Sequence, residues 1–115
     1  MITLKPFHLI NSVKENILKY NIIPRAVVSN QQVVVEAFCN SITFINIGTT
    51  VCLVNGIILN PSLVAGANGE SFSFGGNRGE VFQGRIDIAF ATGVGNLLVI
   101  QKIYLPDNET FKDIN

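Results

Sequence analysis

The sequence predicts an all-β, single-domain antiparallel sandwich of jelly-roll kind, with a short N-terminal helix or arm. Three observations point there. Apolar β-branched and aromatic runs recur about every ten residues from Gln31 onward. Gly, Asn and Pro turns separate them, and one turn is the hairpin dipeptide Asn55-Gly56. Regular spacing of short strands favours a sandwich or barrel over βαβ units. At 115 residues the chain has the size of one domain.

The segments follow in order. Val33, Val34 and Val35 lead into Phe38, and Ser41 to Ile47 carries Ile42, Phe44, Ile45 and Ile47. These are β-forming residues. Cys39-Asn40-Ser41 between them reads as a turn, or as a bulge where one long strand bends between sheets. Gly48-Thr49-Thr50 turns the chain into Val51–Val54. Asn55-Gly56 then predicts a type I′ hairpin, whose two central residues both need φ > 0. That turn sets the register: Val54 opposes Ile57, Leu53 opposes Ile58, and Cys52 opposes Leu59. Pro61 ends this strand, since proline cannot donate to a ladder.

Ser71-Phe72-Ser73-Phe74 alternates, with both rings on one face. Gly75 to Gly79 is a second Gly-rich turn. Arg85 to Phe90 puts Ile86, Ile88 and Phe90 on a core face and pairs Arg85 with Asp87 on the other. Gly93 to Asn96 turns into a long apolar strand, Leu97 to Leu105, closed by Pro106.

The organisation expected is an N-terminal arm over 1–30, a sandwich body over 31–106 and a polar tail over 107–115. Two readings of the arm stand. Ser12-Val13-Lys14-Glu15 fits a capping box, which favours a helix from Val13 to Lys19. The alternative is an irregular or strand-forming arm ending at Pro24.

Composition narrows the function. Apolar residues make up 48% and charged residues 14%, where soluble domains average about 25% charged. Charge is depleted where protein interfaces are buried, so the chain is expected to meet a partner. Eight basic residues balance eight acidic ones, and the basic ones are scattered. That leaves no electrostatic footprint for nucleic acid. The apolar stretch Ile42–Leu59 is broken by Asn46, Gly48, Asn55 and Gly56, so no membrane span is expected. The N-terminus shows no secretory signal, and synthesis in the cytoplasm follows.

No catalytic residue is legible. His8 is the only histidine and has no marked partner. Glu36, Glu70, Glu80 and Asp87 show no spacing that singles out an acid–base pair. Gly93-Val94-Gly95 leads into a strand, whereas a phosphate cradle requires a helix N-terminus. Asp107, Glu109 and Asp113 lack the order of a calcium loop. No metal or cofactor is expected. Cys39 and Cys52 are read as small buried hydrophobes, with a disulfide as the alternative should their strands be adjacent.

Ser41-Ile42-Thr43-Phe44-Ile45-Asn46-Ile47-Gly48-Thr49, Val54-Asn55-Gly56-Ile57 and Gly95-Asn96-Leu97-Leu98-Val99-Ile100-Gln101-Lys102 form a pattern. It resembles the small all-β virion proteins of tailed bacteriophages, especially those of Bacteroidetes-type hosts. The resemblance covers residues 31 to 105. It implies a virion part without catalytic residues: a capsid decoration, a head-fibre base or a tail component. On that reading the chain is a homo-oligomer that contacts other virion proteins and resides in the virion. Phe7, Leu9, Ile10 and Ile17 of the arm are the interface candidates. Phe72 and Phe74 are a further pair, for which ordinary core packing is favoured. The alternative is a module binding a host surface glycan or receptor, with Asn77, Arg78 and Gln83 as polar contacts.

Overall fold

The computed structural model describes residues 18–106. They form eight strands and two antiparallel four-stranded sheets packed as one β-sandwich. The strands are β1 (Tyr20–Ser29), β2 (Val33–Cys39), β3 (Ser41–Asn46) and β4 (Cys52–Val54), then β5 (Ile57–Leu59), β6 (Ser71–Gly75), β7 (Phe82–Phe90) and β8 (Gly95–Tyr104). The chain divides into a body, residues 22–103, and a smaller unit that includes 18–21 and 104–106. Within the smaller unit the Leu105 N–H donates to the Lys19 carbonyl at 3.0 Å.

One sheet has the order β1-β8-β3-β6 and the other β2-β7-β4-β5. The neighbours β1·β8, β2·β7, β3·β6 and β4·β5 nest about one centre, the β4–β5 turn. The fold is thus one long antiparallel hairpin rolled into two sheets, which is the jelly roll. The Asn55-Gly56 turn is the tip of that roll. Asn55 and Gly56 take φ of 48° and 84°, and the register is Cys52↔Leu59, Leu53↔Ile58, Val54↔Ile57, as the turn type requires. Asn55 also fastens the tip to β7: its N–H donates to the Asp87 carbonyl, and its Oδ1 accepts from the Asp87 N–H, both at 2.8 Å.

The expected Cys39–Ser41 turn is the crossing between sheets. β2 ends at Cys39 in one sheet, β3 begins at Ser41 in the other, and Asn40 is the joint. Two points concern the N-terminal residues. Residues 20–29, counted with the arm, are the edge strand β1, which runs through Pro24 because an edge position spares proline a ladder bond. The helix expected over 13–19 falls mainly outside the described residues, and Leu18 and Lys19 have no helical structure.

Alternation supplies the core. Ile42 and Phe44 of β3, Leu97 and Val99 of β8, Val35 and Ala37 of β2, and Ile86 and Ile88 of β7 are all buried. Phe72 and Phe74 turn inward from β6 and pack against this core. The rings of Phe44, Phe72, Phe74 and Phe82 form a chain from one sheet to the other, with Phe74 and Phe82 edge to face at 5.0 Å. β8 buries Gly95, Leu97 and Val99 and is half-buried along the rest of its length.

Candidate interaction surfaces

Connections gather at the two ends of the roll, and each end is fixed by a buried asparagine, Asn40 just before β3 or Asn46 at its last position. At the first end, Asn40 is 1% exposed. Its Nδ2 donates to the carbonyls of Asn77 at 2.6 Å and Glu80 at 2.8 Å. Its backbone N–H donates to the Lys102 carbonyl, and its carbonyl accepts from the Gly76 N–H. These bonds brace the β6–β7 loop against the sheet crossing. Gly75 is required there. Its φ is +84°, and a Cβ would meet the Asn40 carbonyl oxygen.

This loop carries two of the three residues proposed for glycan contact. Asn77 is committed within the loop, its Nδ2 donating to Glu80 Oε1 at 2.9 Å. Arg78 is exposed at the tip. Gln83 is not in the loop. It stands on the outer face of β7 opposite Phe38 of β2, because β7 begins at Phe82.

At the second end, Asn46 is fully buried. Its Nδ2 donates to the carbonyls of Thr50 and Leu59, each at 2.9 Å, and its Oδ1 accepts from the Gly48 N–H at 3.0 Å. One side chain thereby joins the β3–β4 and β5–β6 connections. Thr50 and Thr92 join the β7–β8 connection through a 3.0 Å hydroxyl contact. Sequence reasoning missed both asparagines. The signal for Asn46 was its parity: it shares the inward face with Ile42 and Phe44, where a polar group must find partners.

Four connections lie at this end: Asn30–Gln32, Ile47–Val51, Asn60–Glu70 and Ala91–Val94. Glu70 is the single charged residue among them. Its carboxylate accepts from the Asn60 N–H at 2.8 Å and from Asn60 Nδ2 at 3.0 Å. Leu63 is 101% exposed, with Val64 and Val94 also outward. Beside Leu63 is a groove of about 400 Å³, lined by Ile47, Thr49, Val64, Ala67, Leu98 and neighbouring loop residues.

The other candidates take simple places. Glu36 stands opposite Arg85 in the β2–β7 register. Asp87 lies 3.6 Å from Arg85, both largely exposed, a surface pair worth at most about 1 kcal/mol. Among the described residues no three of His, Cys, Asp and Glu gather where a metal ion would be held. No helix among them is long and apolar enough to cross a membrane. Phe7, Leu9, Ile10 and Ile17 lie outside the described residues.

Comparison with protein-family models, with curated proteins and with solved structures finds no match.

Cys39 and Cys52 are both buried and free. Both flank β7, but Cys39 opposes Phe82 and Cys52 opposes Phe90. Eight residues of strand separate those points by about 26 Å, and a disulfide needs Cα atoms within about 7 Å. The pair cannot form in this fold. Burial pushes both thiols up, Cys52 to about 11 from the ordinary 9.0. A thiol whose folded value is raised favours the native state below the unfolded value. That stability is lost as pH rises through the folded value. Urea midpoints are thus expected to be flat in this respect up to pH 9.0 and to fall between there and about 11. The fall should be smaller in Cys52→Val. An equal fall in that variant would show that other groups govern it.

β1 is a long edge strand with an exposed apolar side. Of its ten residues only Val27 is buried, and Ile22 (55%), Ile23 (43%) and Val28 (59%) are open to solvent.

Proposed function

We propose that this chain is a non-enzymatic structural subunit of a tailed-bacteriophage virion, acting through subunit–subunit contacts. The observation that carries the reading is β1. Among the described residues β1 has one neighbouring strand, β8, and it adds exposed aliphatic side chains. Such an edge is a ready joint for another chain. Pro24 interrupts it and limits uncontrolled stacking. Support also comes from three motifs that resemble those of small phage virion proteins. Ser41–Thr49 is β3 and its turn, Val54–Ile57 is the tip of the roll, and Gly95–Lys102 belongs to β8, which pairs with β3 along Ser41–Asn46. The first and third of these motifs are neighbours in one sheet, and the second lies in the other.

The test is quantitative mass spectrometry of purified particles from phage-lysed cultures that express the chain. Many copies per particle, surviving density-gradient purification, are expected. Recovery only in the soluble, particle-free fraction would sink the proposal. Within particles, Ile22→Lys on β1 is expected to reduce incorporation.

A further inference from the structure

We infer that Asn55, at the tip of the roll, is a site of spontaneous deamidation, and that the fold protects the second Asn-Gly pair, Asn68-Gly69. Neither β1 nor the virion reading enters. Asn-Gly is the dipeptide at which an asparagine side chain closes most readily on the main chain, because glycine leaves the attacking nitrogen unhindered. The Gly nitrogen gives its proton to solvent base and bonds to the Asn Cγ. The Cγ–Nδ2 bond breaks, and Nδ2 takes a proton from solvent and leaves as ammonia. Water then opens the five-membered ring at either carbonyl, which leaves aspartate or isoaspartate. Nothing is oxidised or reduced.

Both asparagines are exposed, so the attacking nitrogens distinguish the pairs. The Gly56 N–H makes no hydrogen bond among the described residues, and the space beside its Cα is empty. The Gly69 N–H donates to the carbonyl of the fully buried Asn46 at 2.7 Å. A Cβ at Gly69 would meet the carbonyl oxygens of Asn60 and Asn46. That peptide is packed in place and reacts only after its connection opens. The Asn55 side chain is also set for the step. Its Oδ1 accepts from the Asp87 N–H at 2.8 Å, and this oxygen gains negative charge when Cγ is attacked. Ring closure turns over the peptide between Asn55 and Gly56, which converts a type I′ turn into a type II′ turn. Both types need φ > 0 at the first central residue, where Asn55 already has 48°. Both also suit the twist of a hairpin, so β4 and β5 stay paired while the ring forms.

The experiment incubates the full chain, folded and in urea, in mildly alkaline buffer at physiological temperature. Peptide mapping by mass spectrometry reads the product at each asparagine. In urea the two pairs should react at similar rates. In the folded chain Asn55 should outpace Asn68 by about tenfold or more, because Asn68 alone waits for local opening. Equal rates in the folded chain would overturn the inference. So would a folded chain that reacts at neither site while the unfolded one reacts at both, since the turn would then protect Asn55 as well. The isoaspartyl form, separated by ion exchange, should have a lower urea midpoint than the unmodified chain. Isoaspartate adds a methylene to the main chain of a two-residue turn, which disturbs the Val54↔Ile57 pairing and the bonds to Asp87. An unchanged midpoint would overturn that loosening of the tip.

Discussion

Asn46→Ala is expected to destabilise the fold by about 3 kcal/mol, since three hydrogen bonds at about 1 kcal/mol each are lost. The bonds run to Thr50, Leu59 and Gly48. Their backbone partners stay inside without replacements, so the desolvation cost is not recovered. Native domains are stable by only about 5–15 kcal/mol, which makes this a large fraction. A fall in melting temperature of about 10–20 °C follows for a body of this size. Asn46→Asp is the sharper variant. Its carboxylate faces the Thr50 and Leu59 carbonyls, so it is expected to be weak at neutral pH and to recover part of the loss in acid, where it is protonated and can donate. Urea melts at two pH values check both variants. A loss under about 1 kcal/mol for Asn46→Ala would mean that the connections hold themselves together without it.

Phe44→Ala should cost about 3–5 kcal/mol, the range for truncating a buried aromatic. Phe44 is fully buried. It stacks on Phe72 with ring centroids 6.5 Å apart and 12° between planes, and it tilts against Phe74 at the same separation. Its removal opens a cavity between the sheets, where neighbours on two layers cannot close in together. Phe44→Leu keeps most of the volume and is expected to cost far less. Chemical denaturation of the two variants compares them directly. Equal losses in both would place the contribution in ring stacking, whereas a small loss in Phe44→Ala would mean that the site collapses.

The two effects differ in how far the sequence foretold them. Phe44 is legible because Ile42, Phe44 and Asn46 alternate along one strand face, and alternation depends only on the pleat. The hairpin at Asn55-Gly56 is legible for the same local reason: two adjacent residues must take positive φ, and these two do so cheaply. Both bounds and registers there follow from chain geometry over a few residues. The inward face of β8 is also local, since Leu97 and Val99 alternate with the half-buried Leu98 and Ile100.

Sheet membership is not local. β3 pairs with β8, more than fifty positions away along the chain, and with β6 on its other side. That choice is made when both sheets bury their inner faces at once, and no single segment holds the information. The bonds of Asn40 and Asn46 depend on it, because the carbonyls that they reach come from connections that only the roll brings together. The separation of Cys39 from Cys52 depends on it too: adjacent runs in the sequence meet opposite ends of β7. So does the loop end with Leu63. Its four connections are spread from Asn30 to Val94, and they become one surface only after the chain is rolled. Backbone preference and side-chain alternation, acting over a few residues, determined the strands and the central turn. Long-range burial of two sheets against each other decided which strands are neighbours, which polar groups are sealed inside, and which apolar residues are left facing outward.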